Sequence, residues 1–349
     1  MPTVVIESHI PFVGDAFAGV ADVRVLAPED INADAVREAD ALIVRTRTKC
    51  NAALLEGSNV RFVATATIGT DHIDKEYCRE KGIEVVSAPG CNAPAVAQYV
   101  WASIFSILDN EQCGNNLTIG IVGLGHVGSI VATWAKKMGM RVLACDPPRE
   151  LIHGGWNVSA PLEAGSEPFV SLAEIAENSD VITFHTPHTT EGEYATHHIA
   201  DAAFFNAVAQ RPVVINAARG PIFDTEAVLN ALKSNKLTGC VIDCWEGEPY
   251  INMELLELAD IATPHIAGYS EEGKRRATAA VVSAALRFFG AQAKDVPVIP
   301  MASGAEVTPA NILDSYNPVS DTNLLTGICT PEKFEYIRNH YSLRHELGY

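Results

Sequence analysis

Along the first ninety or so residues, short apolar runs alternate with stretches of helical spacing. Val4-Val5-Ile6, Val23 to Leu26, Ala41 to Val44, Phe62-Val63-Ala64 and Val85-Val86 read as strands. Asn51 to Glu56 and Ile73 to Lys81 read as helices, and Gly82 stands where a terminating glycine belongs. Strand–helix alternation implies a parallel sheet with helices on both faces. The unit is complete by about Pro89, and Pro89-Gly90 breaks the pattern.

Asn92-Ala93-Pro94 then predicts a side-chain-capped start to a long apolar helix, Ala95 to Leu108, linking to a second domain. Asn110 to Asn116 is polar and predicts a loop. The second alternation comprises strands Leu117–Val122, Arg141–Cys145, Val181–His185, Val213–Ile215, Cys240–Ile242 and Asp260–Ala262. Helices are expected after Gly128 up to Gly139, and at Leu172–Glu177, Ala200–Val208 and Thr225–Lys233. Leu151 to Pro168, rich in Gly and Pro, predicts an irregular surface excursion. Ser270-Glu271-Glu272 caps a long helix to Phe289-Gly290, whose two-sided apolar content predicts a return to the first domain. From Val296 onward weak periodicity predicts an appendage stabilised by docking, with a polar helical end around Glu332 to Glu346.

The stretch from Leu117 to Asp146 adds chemistry to this pattern. Gly123-Leu124-Gly125-His126-Val127-Gly128 follows a strand and opens a helix. In such a G-x-G-x-x-G turn, Gly123 permits the tight bend, Gly125 lets backbone approach a pyrophosphate and Gly128 lets helix pack on strand. The helix start, at His126 and Val127, offers free N–H groups to phosphates. Asp146 ends the next strand at about the spacing, roughly 20 residues, of a ribose-binding acid. An acid there repels a 2′-phosphate and favours NAD over NADP, an effect that nearby Arg149 opposes.

The fold class that follows is α/β with two doubly wound parallel sheets. A Rossmann-type NAD-binding domain (residues 96–269) is inserted in a flavodoxin-like substrate domain (residues 1–95 and 270–293), with a small C-terminal appendage (residues 294–349). The 349 residues, 48% hydrophobic and 19% charged, suit a soluble globular protein of two domains and a modest third. No apolar run is long enough to span a bilayer, and MPTVVIESHIP lacks the basic and apolar regions of a signal peptide. A net charge of −18 argues against nucleic-acid and membrane partners and obliges any anionic substrate to meet a local cationic pocket. Eight cysteines form no CxxC pair and read as reduced, buried thiols; the histidines form no HExxH pattern, so no metal is expected.

Three later strand ends carry reactive groups: Arg219 after Asn216, Glu248 in WEGEP, and His265 in TPHIAGY. Ligands of open α/β sheets bind outside the carboxyl ends of strands. A histidine there accepts a hydroxyl proton near neutral pH, a carboxylate orients its ring, and an arginine grips a substrate carboxylate in two-pronged fashion. Each also has an ordinary reading, as a satisfied loop histidine, a surface acid or a capping ion pair. In an extended Arg45-Thr46-Arg47-Thr48-Lys49, Arg45, Arg47 and Lys49 share one face and suit a phosphate.

The order G-x-G-x-x-G, Asp146, NAARG, D-x-W-E-G-E-P and T-P-H-I-A-G resembles the D-2-hydroxyacid dehydrogenase family, over about residues 40 to 290. The resemblance implies that Arg219, Glu248 and His265 are the catalytic set. It implies NAD contacts at Asp146, Thr186, Ala217, Ala218, Arg219, Asp243 and Gly268, and substrate contacts at Thr46, Thr67 and Tyr269. It further implies NAD-dependent oxidation of a phosphorylated 2-hydroxy acid by a cytoplasmic homodimer joined through its C-terminal region. The tail is shorter than this resemblance leads one to expect. A dehydrogenase of 3-phosphoglycerate or of an unphosphorylated hydroxy acid, and an NAD-sensing corepressor-like protein, are the alternatives.

Overall fold

The computed structural model describes residues 1–108, 117–160, 163–292, 296–300, 304–325, 327 and 329–348. Residues 1–92 form β1 (Thr3–Glu7), β2 (Asp22–Leu26), α1 (Ala33–Val36), β3 (Ala41–Val44), α2 (Ala52–Leu55), β4 (Phe62–Thr65), α3 (Lys75–Glu80) and β5 (Glu84–Val86). All five strands are parallel, in the order β2-β1-β3-β4-β5. This is the flavodoxin-like order, with its switch between β1 and β3. Side chains alternate between two cores: Val4, Ile6, Ile43 and Phe62 face one, Val5, Leu42, Val44 and Val63 the other.

Residues 93–269 form α4 (Ala93–Ile107), β6 (Thr118–Val122), α5 (His126–Lys137), β7 (Arg141–Cys145), α6 (Pro147–His153), α7 (Leu172–Asn178), β8 (Val181–Phe184), α8 (Ala202–Ala207), β9 (Val213–Asn216), α9 (Thr225–Lys233), β10 (Gly239–Ile242), α10 (Met253–Leu258) and β11 (Ile261–Ala262). Six parallel strands lie in the order β11-β10-β9-β8-β6-β7, a Rossmann-type sheet whose switch point separates β6 from β8. Ile119, Ile121, Val213 and Val241 pack beneath α4 and α5, while Val122, Ile182, Phe184 and Val214 pack beneath α7, α8 and α9. Then come α11 (Glu271–Phe288), α12 (Pro309–Ser315), α13 (Pro318–Leu325) and α14 (Pro331–His340).

The chain divides into two compact units, Met1–Asn92 with Ser270–Met301, and Ala93–Tyr269 with Ala302–Tyr349. Helix α11 supplies Ala277, Val281, Val282 and Leu286 to a core of the first unit. Its Ser270 cap accepts the Gly273 N–H at 3.0 Å. The tail from residue 302 packs within the second unit, although its sequence reads as a separate appendage from residue 294. Ile312 and Tyr316 join the core above α4, and Leu325 and Phe334 join the opposite one. Two of its helices, α12 and α13, carry too little periodicity to be read from sequence, as does α10.

Three further local expectations meet a different outcome or none. The expected loop at Asn110–Asn116 lies outside the described residues. Asn92 does not cap α4, because its Oδ1 is buried with no hydrogen-bond partner. The excursion at Leu151–Pro168 begins inside α6, which Asp146 caps and Gly154 closes at φ +68°. Two prolines in the first turn are compatible with a helix, since no intrahelical N–H is needed there. The segment then buries Trp156 at 1% exposure, bridges it to Glu167 and satisfies its Nε1–H on the Pro168 carbonyl at 3.2 Å.

Among the described residues Cys50, Cys78, Cys145, Cys240, Cys244 and Cys329 are free thiols. No helix among them is long and apolar enough to cross a membrane. Trp156 and Leu151 make a contrasting pair, buried and 74% exposed within one short segment. Trp156→Ala is expected to cost about 3–5 kcal/mol of unfolding free energy in a urea titration, and Leu151→Ala less than about 0.5.

Candidate active site

Strand β6 delivers the chain to Gly123, which sits at φ +93°. A Cβ there would lie 2.9 Å from Thr186 Cγ2 and 3.0 Å from the His185 backbone. A Cβ at Gly128 would lie 2.2 Å from the Gly123 carbonyl oxygen, so this glycine is demanded by helix–strand packing. Gly125 is different: a Cβ there would touch nothing within 4 Å. The protein leaves space at Gly125, where close approach by a ligand's pyrophosphate needs it. Gly125 also stands at the N-cap of α5 and offers no side-chain acceptor to the first-turn N–H groups. His126 is exposed and Val127 half-buried at that helix start.

Neighbouring strand ends complete the cradle. Asp146, after β7, accepts the Leu124 N–H at 2.8 Å and lies 3.6 Å from Arg149 Nε. It therefore braces the glycine turn as well as ending its own strand. Thr186, after β8, keeps a buried Oγ1 with no hydrogen-bond partner. A dinucleotide fits these groups: open space at Gly125, unfilled helix amides and an unsatisfied hydroxyl.

On the same sheet, β9, β10 and β11 end in the three reactive groups. Asn216 closes the first turn by donating to the Arg219 carbonyl at 2.9 Å and accepting the Ala218 N–H at 3.2 Å; Ala217 lies between them. Gly220 lets this turn approach the next strand end, since a Cβ would sit 2.0 Å from the Trp245 carbonyl oxygen. Glu248 Oε1 meets His265 Nδ1 at 2.6 Å, and Glu248 Oε2 accepts the Trp245 N–H at 3.3 Å. Burial pushes the Glu248 carboxyl up, but His265, then Arg338 and the Trp245 N–H, outweigh it and hold it below its ordinary value. Arg219 donates to the Ala218 carbonyl at 2.7 Å. Arg219 and Glu248 also act in opposite directions on the buried Cys244 thiol, which burial above all raises.

His265 itself has φ +57°, a left-handed conformation unusual for a side chain of its size. Asp243 makes it possible. Its backbone carbonyl accepts the His265 N–H at 2.8 Å, and its carboxylate accepts Ile266 N–H at 2.7 Å, Ala267 N–H at 3.0 Å and the Thr263 hydroxyl at 2.7 Å. Burial raises the Asp243 carboxyl, while His265 and these hydrogen bonds pull it back. Gly268 and Tyr269 end the same turn and are half-buried.

Comparison with known proteins decides what this arrangement belongs to. A model described as "D-isomer specific 2-hydroxyacid dehydrogenase, NAD binding domain" matches residues 105–267. The chain is 46% identical to an erythronate-4-phosphate dehydrogenase of Bacteroides thetaiotaomicron, over 98% of this chain and 97% of that one. The chain belongs to the D-isomer-specific 2-hydroxyacid dehydrogenases. It is 36% identical to an erythronate-4-phosphate dehydrogenase of Cronobacter sakazakii, over 98% and 92% of the two chains. A solved D-lactate dehydrogenase of Aquifex aeolicus, complexed with NAD and lactic acid, superposes with TM-score 0.68 at 26% identity, covering 82% of this chain and 95% of that one. The protein is an NAD-dependent dehydrogenase.

In the first unit of this dehydrogenase, the cationic stretch is arranged differently from expectation. Strand β3 ends at Val44 and Thr46–Thr48 turn, so Arg45, Arg47 and Lys49 do not alternate along an extended strand. The cause is Glu7, 1% exposed at the end of β1, whose carboxylate accepts the Arg45 N–H at 2.9 Å and the Thr48 hydroxyl at 3.0 Å. Arg45 reaches back to the His9 carbonyl at 3.2 Å, while Thr46 and Arg47 are exposed. Thr67 bonds Thr65 at 2.7 Å and the Gly69 carbonyl at 3.0 Å.

Four residues that sequence reasoning passed over matter here: Glu7, Asn216, Arg338 and Arg344. Asn216 was legible as the polar end of an apolar strand. Glu7 likewise ends one, but nothing local tells a buried acid from a solvated one. Arg338 and Arg344 act on groups some seventy to ninety positions away in sequence, beyond any motif.

The lowered Glu248 carboxyl stabilises the fold fully above its ordinary value of 4.5, and this stability is lost as pH falls through the lower native value. Glu248→Gln should therefore flatten the rise of unfolding free energy with pH in the acid range, read by urea titrations from about pH 3 to about pH 6.

Proposed function

We propose that this dehydrogenase oxidises 4-phospho-D-erythronate to 2-oxo-3-hydroxy-4-phosphobutanoate with NAD, a step in pyridoxal 5′-phosphate formation. The observation that carries the chemistry is the 2.6 Å contact between His265 Nδ1 and Glu248. It commits Nδ1 to the carboxylate and leaves Nε2 for the substrate. The substrate choice rests on the names of the relatives over nearly the full chain. It is also supported by the stretches ALIVRTRTKCN, ATATIGTDHID, CDPPR, WEGEP and HIAGYS.

Bound NAD supplies the hydride acceptor for C2 of the substrate. His265 Nε2 takes the proton of the C2 hydroxyl as the hydride leaves C2, so the carbon gains a carbonyl and the imidazole a charge. Glu248 holds the ring in one orientation and stabilises that charge. Arg219 pairs with the substrate carboxylate and polarises the reacting oxygen. Thr46, Thr67, Tyr269, Arg45 and Arg47 are assigned to the substrate. The cofactor is assigned to Gly123, Gly125, His126, Val127, Gly128, Asp146, Thr186, Ala217, Ala218, Arg219, Asp243 and Gly268.

The same reading makes the protein a cytoplasmic homodimer. Val319, Leu324 and Tyr336 on α13 and α14 keep large apolar side chains exposed, which suits a subunit contact through the tail.

His265→Asn should cut kcat by ~10²–10⁴, the usual worth of acid–base catalysis, and an unchanged rate removes His265 from the role. Turnover with 4-phosphoerythronate should exceed that with 3-phosphoglycerate; the reverse preference overturns the substrate. Asp146→Ala should weaken NAD and narrow its advantage over NADP, measured by the two KM values.

A further inference from the structure

The turn that carries His265 is gripped from two sides. Its N–H groups are taken by Asp243, as described above. Its carbonyl groups are taken by Arg344, from the C-terminal segment. Arg344 Nη1 donates to the Ile266 carbonyl at 3.1 Å and to the Tyr269 carbonyl at 3.2 Å. Nη2 donates to the Ala267 carbonyl and, at 3.1 Å, to the Ala95 carbonyl in the first turn of α4. Nε points to Gln98 Oε1 at 3.4 Å. These bonds use all the N–H donors of a guanidinium, which has five. Beneath it lies the Tyr316 ring, 4.2 Å from the guanidinium carbon.

Three of those bonds go to a single turn of five residues. An arginine whose partners are backbone carbonyls, one amide and the side chains of Tyr341 and Tyr316 defines a shape. The shape is a costly one, because His265 lies at positive φ. A non-glycine residue held there is strained and persists only when its surroundings over-determine it. A carboxylate on the N–H side and a guanidinium on the carbonyl side supply that over-determination with charge-assisted hydrogen bonds.

The rest of the tail reinforces the same place. The Tyr341 ring packs edge-on against Tyr269, centroids 6.2 Å apart. Tyr341 and Tyr316 both donate to Asp321 at 2.7 Å, tying the segment that carries Arg344 to α13. Arg338, on α14, hydrogen-bonds Tyr269 and interacts electrostatically with Glu248. Ser315 and the His345 carbonyl accept from Gln98 Nε2 at 2.9 and 3.2 Å.

We propose that Arg344 is a positioning residue for hydride transfer. By holding the carbonyls of residues 266, 267 and 269 it keeps His265 in its left-handed conformation, Nδ1 on Glu248 and Nε2 free. The C-terminal segment is therefore part of the catalytic apparatus, whatever it does between subunits. The proposal rests on His265 being the base.

The test uses the full-length protein with NAD and 4-phosphoerythronate, comparing Arg344→Ala, Arg344→Lys and His265→Asn. Arg344→Ala should lower kcat by about 10- to 100-fold, the scale of a misplacement of about 1 Å, and leave the KM for NAD within about twofold. Its oligomeric state on size exclusion should match the wild type. Guanidinium ion added at millimolar concentration should restore part of the lost kcat in Arg344→Ala and none in His265→Asn. Arg344→Lys, which keeps the charge but offers three donors, should fall between.

A kcat within about twofold of wild type in folded Arg344→Ala overturns the proposal. So does a loss of kcat in Arg344→Lys that merely tracks a lowered melting temperature, the readout to use if the alanine variant does not fold. Full activity of His265→Asn sinks the base assignment itself; an inactive His265→Asn beside active Arg344 variants sinks only the role of Arg344.

Discussion

A buried carboxylate just beyond β10 is the interaction on which the strand-end geometry of the second unit turns. Asp243 is 1% exposed, and burying it costs free energy unless hydrogen bonds replace its water. Those bonds come from Thr263 and from the N–H groups of Ile266 and Ala267. The cost is thus offset only if the chain after β11 bends so that consecutive amides converge on one point. That bend throws His265 into a left-handed conformation and sets its Nδ1 against Glu248. One acid residue therefore fixes the geometry of another acid's contact with His265.

Parallel sheets explain why so much chemistry can be assembled this way. Every strand in each unit runs in the same direction, so every strand's carboxyl end opens on the same edge of its sheet. In the second unit that edge carries Gly123, Thr186, Arg219, Glu248 and His265, contributed by five different strands or the turns that follow them. In the first unit the same rule places Glu7 and the Arg45–Thr48 turn at the switch between β1 and β3. Electrostatics is local in both. The chain carries a net charge of −18, and Arg219, Arg338 and Arg45 are each tied to neighbouring groups.

Much of this was open to inspection in the sequence because it is written in short-range pattern. The alternation of buried runs with helical spacing marks both sheets, and G-x-G-x-x-G with Asp146 marks the nucleotide turn. Each glycine of that motif answers to its own constraint, packing at Gly123 and Gly128 and open space at Gly125. Where periodicity is weak, local pattern misleads. The segment from Leu151 looked like solvated loop, yet it closes a helix and buries Trp156, because a Gly- and Pro-rich stretch can wrap a large aromatic without regular structure. The cationic run at Arg45 looked extended, yet a buried acid thirty-eight residues earlier folds it into a turn.

The sequence by itself determined the order of most elements, the parallel α/β class, the glycine turn after β6 and the placing of Arg219, Glu248 and His265 just beyond three neighbouring strands. These depend on neighbours within a strand, a turn or one helix–strand unit, so local composition encodes them. Only the tertiary structure decided how the set is held. Asp243 takes the amides of a turn some twenty residues on, Glu7 takes groups on β3's far end, and Arg344 takes carbonyls nearly eighty residues back. Apart from the N–H that proline lacks, backbone N–H and carbonyl groups are alike at every residue and leave no mark in a sequence. Which of them a buried charge satisfies is settled when the chain packs.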